Sequence, residues 1–467
     1  MLVLSGTQTI TPRHTVRYGH SSPKSQSCRS RTPLAFGGLT MKKMYGKRVT
    51  LGLLSVLTVS VLFGSAAARA DAVLDWNAIA VNTAVANKQN PFAQARYAAI
   101  VQLAVFEAVN SITHKYQPYL ETIAAPPDAS PDAAAIEAAY QVLSTYFPAS
   151  QPTLYADWTN SMQSIPDGSA KTDGIATGDA AAAAMIALRA NDGSSPPQFY
   201  TPGPPVPGAW QATPSCPVVN GVAVGIGFQW QNVTPFGIQS TSDFLLDPPP
   251  ALTSQAYAKA YNEVMTVGSV NSMQRPPDRA NVALFYAASS PTQVFNQAAQ
   301  QVAAAQGRSL SDNARALALI NMAMSDSLVA SFFNKYHYNF WRPETAIHAG
   351  DSDGNPNTAG DPTWAPFIVT PCFPSYPSNH GSAANGAAEV MKRIYGDDGI
   401  SITLTNPAVP TIVLQYTSFR QITADISDAR VYGGIHYRTD QDAGAQLGRA
   451  VGKGVYKNNL RPTHEDD

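Results

Sequence analysis

Three short segments in the last third of the chain carry side chains that could work on one anion. They are Lys335-Tyr-His-Tyr-Asn-Phe-Trp-Arg342-Pro343, Pro377-Ser378-Asn379-His380-Gly381, and Arg430-Val-Tyr-Gly-Gly-Ile-His436-Tyr-Arg-Thr-Asp440. A tetrahedral oxyanion is best held by fixed positive charge, and the planar fork of arginine matches two oxygens at once. Arg342 and Arg430 offer such forks, and Lys335 adds an ammonium. Backbone N–H groups at a helix start attract anions as well. Ser378-Asn379-His380 stands just before a helical spacing of Ala384, Ala387, Met391 and Ile394. Chemistry at the anion also needs a proton carrier and a ligand or nucleophile, posts that His380 and His436 can fill. Asp440 follows His436 by four residues, a spacing that shares one face of a helical turn and could fix the imidazole tautomer. Taken singly, Arg-Pro reads as a helix boundary, Pro-Ser-x-His as a turn with a cap, and His436 with Asp440 as a surface pair. Their joint occurrence in this order argues for a site.

Lys-x6-Arg-Pro, Pro-Ser-x-His and Arg-x5-His-x3-Asp resemble the three signature motifs of the vanadium haloperoxidase and type-2 acid phosphatase superfamily. Two positions depart from its pattern: Asn379 stands in place of a glycine, and Ala429 in place of the serine before the arginine. Phe373 resembles a phenylalanine at a similar offset in fungal members, and the Phe-Pro-x-Tyr-Pro-Ser context leans toward haloperoxidases. Asp71-Ala-Val-Leu-Asp-Trp-Asn and the stretch from Arg96 to Asn110 resemble the bacterial branch more weakly. The resemblance implies an all-α helical bundle with the anion site at one end, and vanadate as cofactor with no haem or flavin. It further implies that His436 binds vanadium, while Lys335, Arg342, Ser378, Asn379, His380 and Arg430 hold the oxygens. Asp440 would orient His436, Phe373 would shape the halide's approach, and His380, Lys335 and His436 would be catalytic. The implied reaction uses hydrogen peroxide to oxidise halide to hypohalous acid through a peroxo-vanadate on His436, with an organic acceptor that the motifs do not specify. The alternative is a soluble phosphatase that forms a phosphohistidine at His436. A silent binding or scaffold protein is a third reading, against which both histidines argue.

The elements that must position these residues read as helices. Candidates run near 73–88, 92–112, 131–146, 171–190, 253–267, 277–288, 291–305 and 310–334, then 380–395, 408–426 and 440–457, with no run of alternating strands. Residues 316–330 are apolar nearly all round, as suits a helix buried among others and delivering Lys335 to the site. Residues 191–250 are a Pro/Gly-rich excursion, either wrapping the bundle or forming a lid, and Trp230 and Phe236 favour wrapping because they need burial. Gly350-Asp-Ser-Asp-Gly-Asn-Pro-Asn is a turn-rich loop whose spacing does not match an EF-hand.

Residues 1–40 read as a polar basic extension. From Met41, a basic start, an apolar run from Leu51 to Phe63 and Ala68-Arg69-Ala70 read as a secretory signal. The expected mature chain is one helical domain over 71–461 with a frayed tail over 462–467, secreted or periplasmic, with no membrane span. Without 1–70, it has 21 basic against 32 acidic side chains, a net charge of −11. That balance disfavours nucleic-acid binding and requires an anion site to gather its positive charge locally. Cys216 and Cys372 could form one disulfide or remain two buried thiols, and nothing resembles a zinc cluster. Oligomeric state is not readable from the chain.

Overall fold

The structure is a computed structural model that describes residues 71–120 and 123–463. The extension over 1–40, the signal segment over 41–70 and the last four residues of the expected tail lie outside the described residues. Pro462 and Thr463, also expected in that tail, are instead paired with Tyr116 and Lys115.

In chain order the helices are α1 (Ala72–Ala86), α2 (Pro91–Thr113), α3 (Pro131–Tyr146), α4 (Gln151–Met162), α5 (Ser169–Arg189), α6 (Gln255–Val267) and α7 (Pro277–Ala288). There follow α8 (Pro291–Gln306), α9 (Leu310–Tyr338), α10 (Pro343–His348), α11 (Asn379–Tyr395), α12 (Phe419–Tyr432) and α13 (Arg438–Asn458). Short polar residues start many of them by accepting the otherwise unpaired first-turn N–H groups. Asp71 caps α1, Asn90 α2, Ser130 α3, Ser254 α6 and Ser309 α9. At α8, Ser290 and Gln293 satisfy each other's backbone reciprocally, and Gly307 at φ 60° closes the helix in a conformation that costs glycine nothing. Among the described residues, strands are confined to two antiparallel hairpins. These are β1 (Val218–Val219) with β2 (Val222–Ala223), and β3 (Ile402–Leu404) with β4 (Leu414–Tyr416).

The helix expected over 408–426 forms only in its last part, from Phe419, and runs on to Tyr432. Pro410 lacks an N–H and the β-branched Thr411-Ile412-Val413 disfavours a helical turn, so the chain pairs β4 with β3 and starts α12 only after Ser418. Helices α4 and α10 are additions that apolar spacing did not mark; α4 buries only Leu154 and Met162.

Helix α9 is the axis of the fold, packed against α2, α11 and α13. It is the one described helix long and apolar enough to cross a membrane, but 94% of its most apolar window is buried inside the protein. Its apolar surface therefore faces other helices, as the all-round pattern implied. Asp326, midway along it, is fully buried and accepts the N–H groups of Phe236, Gly237 and Ile238 at 2.7–3.0 Å. This carboxylate, with Arg189 bonded to the carbonyls of Thr234 and Pro235, fastens the 191–250 excursion onto the bundle. Trp230 and Phe236 are buried, so the excursion wraps. Cys216 and Cys372 form a disulfide that joins the excursion to the loop before α11.

Helices α11 and α13 pack closely, and small residues make it possible. A Cβ at Gly448 would lie 2.1 Å from the Ser382 carbonyl oxygen, and one at Gly444 would lie 2.7 Å from that of Ser378. Both obstacles are backbone, which cannot swing aside. We expect Gly448→Ala to lower the melting temperature, because an overpacking cost of about 1–3 kcal/mol or more outweighs the ~1 kcal/mol gain in helix propensity. An unchanged or raised melting temperature would contradict this packing.

Glu107 on α2 is 2% exposed, and burial pushes its carboxyl from an ordinary 4.5 up to about 7. Below pH 4.5 folded and unfolded chains both hold the proton. Between 4.5 and 7 only the folded chain keeps it, so stability falls as pH rises, by an amount on the order of 3 kcal/mol once past 7. Glu107→Gln is expected to narrow the gap between urea midpoints measured at pH 5 and pH 8. A gap equal to that of the parent protein would remove Glu107 from the pH response.

Candidate functional site

The three segments converge. Lys335 lies in the last turn of α9, Arg342 directly precedes α10, Ser378 caps α11, Arg430 sits in the last turn of α12, and His436 with Asp440 brackets the start of α13. The backbone N–H of Ser378 donates to the Asp440 carbonyl at 2.9 Å and stitches the second segment to the third. Arg342 spans both, donating from Nε to Phe373 O at 2.8 Å and from Nη1 to Ile435 O at 2.8 Å. Lys335 and Arg342 are fully buried and Arg430 nearly so.

His436 does not share a helical face with Asp440 as the spacing implied. It stands in the loop before α13, and Asp440 reaches back from the first turn of that helix. The pair still meets, with His436 Nδ1 2.8 Å from Asp440 Oδ2. The same oxygen accepts from Ser375 Oγ at 2.6 Å and from the Tyr437 N–H at 3.1 Å. Burial, then the charges of Arg342, Lys335 and Arg430, holds the His436 pKa well below its ordinary value. The ring is thus neutral at neutral pH. With its proton assigned to Nδ1 by the carboxylate, Nε2 carries the lone pair. Arg342 Nη1 lies 2.9 Å from Nε2 and donates to it, so coordination by Nε2 requires Arg342 to yield that bond.

Arg430 donates from Nη1 to the Tyr286 carbonyl at 2.8 Å. Its Nε, like Nη2 of Arg342 and Oδ1 of Asp440, is buried without a hydrogen-bond partner among the described residues. Burial brings the Arg342 guanidinium down to about 9 and that of Arg430 to about 10, so both stay charged at neutral pH. Lys335 behaves differently from the expectation. Its three donors go to the carbonyls of Pro374, Ser375 and Pro377 at 2.8, 2.9 and 2.5 Å. Burial drives its pKa well down, whereas three carbonyl acceptors match the three N–H groups of an ammonium and favour that form. The Phe373 ring lies over both charges, 5.2 Å from Lys335 Nζ and 5.0 Å from the Arg342 guanidinium carbon.

At the start of α11, Ser378 Oγ accepts the Gly381 N–H at 3.1 Å, which leaves its own O–H free to donate and the N–H groups of Asn379 and His380 beyond the reach of that cap. Asn379 is tied to the central helix, accepting at Oδ1 from Ser331 Oγ at 2.7 Å. His380 is kept neutral by burial, then by Arg430, while the Ser289 backbone pulls the other way. Asn379, His380, Arg430, His436 and Phe373 all line one cavity of about 540 Å³. Lys335, Arg342 and Ser378 stand behind that lining.

Three buried cations therefore surround a neutral histidine, with a single carboxylate among them. Burial raises even that carboxyl, Asp440, to about 6. Unmet guanidinium N–H groups, a helix start and a lone pair on Nε2 fit a small oxyanion bound through its oxygens and, for a metal oxyanion, through its centre. Sequence reasoning missed Ser375, whose hydroxyl donates to Asp440 beside His436, and Tyr286, whose carbonyl aims Arg430. Neither lies in a motif, and a backbone carbonyl leaves no trace in residue type.

Residues 315–465 match a family model described as the VCPO second helical-bundle domain. A vanadium chloroperoxidase of Curvularia inaequalis is 24% identical over 280 residues. The match covers 45% of each protein, so the chain spans about half the length of this curated relative. Among solved structures, a bacterial vanadium-dependent iodoperoxidase superposes with a TM-score of 0.70 at 22% identity, over 85% of this chain and 97% of that one. The apo form of a bacterial vanadium-dependent chloroperoxidase gives 0.63 at 16% identity, over 77% and 92%. At these identities the structural likeness speaks for the fold.

Because Arg342 joins the second and third segments through a fork that a lysine cannot reproduce, Arg342→Lys is expected to cost at least ~2 kcal/mol of stability. Urea denaturation checks this, and an unchanged midpoint would show that the fork is dispensable.

Proposed function

We propose that this chain, which belongs to the vanadium haloperoxidase family, is a vanadate-dependent haloperoxidase that oxidises halide with hydrogen peroxide. The observation that carries the reading is the excess of buried positive charge around His436 Nε2, whose lone pair points at Arg342. The net reaction takes hydrogen peroxide, halide and one proton to hypohalous acid and water. Bound vanadate would supply a Lewis-acidic centre that activates peroxide toward halide without changing oxidation state.

The chain's own residues then have distinct tasks. His436 Nε2 would hold the vanadium, with Asp440 keeping the proton on Nδ1 and the ring in place. Arg342, Arg430, the Ser378 hydroxyl and the N–H groups of Asn379 and His380 would donate to the oxygens. Lys335 stabilises negative charge from behind and, through its three carbonyl bonds, fixes the backbone that carries Phe373 and Ser378. His380, neutral and facing the cavity, can take a proton from incoming peroxide and return it to the departing water. Export through the 41–70 signal accords with the Cys216–Cys372 disulfide, since such bonds persist in oxidising compartments.

The test is vanadium content beside turnover. His436→Ala is expected to lose stoichiometric vanadium, and its retention would refute the ligand assignment. His380→Ala should keep the metal and lose bromide- and iodide-dependent peroxide consumption by about 10²–10⁴-fold. Phosphate-ester hydrolysis by the parent protein, with no halide-dependent turnover in the presence of orthovanadate, would replace the peroxidase reading with a phosphatase that uses the same cradle.

A further inference from the structure

At the other end of α9 from the cradle lies a cavity of about 770 Å³, lined by Asp312 in the first turn of that helix. From Asp312 to Lys335, at ~1.5 Å of rise per residue, is roughly 35 Å. Four cations from separate parts of the chain meet in this cavity. Lys115 follows α2, Arg308 just precedes α9, Arg315 lies in its second turn, and Arg393 is near the end of α11. Asp312 is the one acid among the lining side chains, and it is already engaged by Lys115 at 2.8 Å and by the Tyr116 hydroxyl. Arg393 pairs with Glu389 at 2.5 Å. Arg308 and Arg315 have no carboxylate partner among the described residues. Arg315 Nε donates to Leu460 O at 2.6 Å, and Arg308 donates to Gln306 Oε1 at 3.0 Å and Ile394 O at 2.7 Å. Both Nη groups of Arg315, and Nη1 of Arg308 and of Arg393, have no hydrogen-bond partner among the described residues.

Like charges repel, and here aromatic rings hold them together. Lys115 Nζ and the Arg315 guanidinium lie 5.8 and 5.0 Å from the Tyr116 ring. The guanidiniums of Arg315 and Arg393 lie 5.3 and 5.6 Å from the Tyr456 ring. A ring face is the negative part of its quadrupole, so each ring attracts both cations beside it. Tyr116 is itself fixed, because its N–H and carbonyl bond the Asn110 side chain at 2.9 and 2.8 Å. Lys115, Arg315 and Arg393 are thus linked through two shared rings, with spare donors toward the cavity.

We infer that this cavity is a second anion site, separate from the cradle, which binds a short oligophosphate. A chain of which residues 71–467 carry 21 basic against 32 acidic side chains has no general attraction for anions, so local charge must supply it. The volume of about 770 Å³ would hold roughly 25 waters at ~30 Å³ each, too much space for one tetrahedral ion to meet cations on several sides. A ligand with several phosphate groups reaches them together, and each arginine fork matches a pair of its oxygens. Nothing in this binding depends on the halide chemistry proposed above.

The probe is inorganic triphosphate, titrated calorimetrically into the full chain. Saturable binding is expected, weakening as salt rises. Arg393→Gln should weaken it about tenfold and Arg315→Gln by more. Arg393 is partly exposed and its pair with Glu389 contributes little to stability, so this variant serves if Arg315→Gln fails to fold, as circular dichroism would show. His436→Ala changes the cradle alone and should leave triphosphate binding in place. The absence of saturable binding, or parent-like affinity in folded Arg393→Gln, would overturn the inference. Loss of binding in folded His436→Ala would overturn it too, by placing the triphosphate in the cradle.

Discussion

The constraint on which this structure depends is the burial of positive charge. Lys335, Arg342 and Arg430 lie at or near zero exposure around one histidine, and among the described residues Asp440 is the one carboxylate that figures in the electrostatics of Lys335 and Arg342. Removing a cation from water is expensive, and a protein keeps such groups only where a partner or a function compensates. Backbone carbonyls satisfy much of the hydrogen bonding here, but they do not supply a full negative charge. The part of the molecule that is least favourable to the fold taken alone is therefore the part best suited to a small oxyanion.

The remainder of the bundle holds that arrangement in place. Glycines at 444 and 448 let α13 come close enough to α11 for Asp440 to meet Ser378. The excursion is anchored on Asp326 of the central helix and by the disulfide beside Phe373. Arg342 ties the two histidine-bearing segments with one rigid fork. The glycines and Arg342 hold the segments that carry His380 and His436, and electrostatic preorganisation consists in groups fixed before the charge arrives.

Much of this was legible in the chain. The charged and imidazole residues of the three motifs are few and unusual in their spacing, and the structure brings His380, Arg430 and His436 to one cavity with Arg342 just behind. Helices such as α3 and α7 were readable to the residue, because a proline at the helix start and the apolar period agree there. Legibility ended where tertiary contacts override local preference. The segment 408–426 holds apolar residues that suit a helix by spacing, but Pro410 and its β-branched neighbours send its first half into a hairpin and delay the helix to Phe419. Lys335 is brought beside the cradle, but its partners are three carbonyls, which no residue type announces. His436 and Asp440 meet across a helix start and not along a helix face, a distinction that the interval of four cannot make. Ser375 was invisible because a serine beside a proline-rich turn has an ordinary explanation.

One physical question stands above the rest: whether this cluster of buried cations is built for a single tetrahedral anion. Equilibrium dialysis of the full chain against orthovanadate answers it directly, with phosphate as competitor. The account predicts one vanadium retained per chain, displaced one for one by excess phosphate because both anions need the same donors. Retention of no stoichiometric vanadium, or retention that phosphate cannot displace, would contradict it.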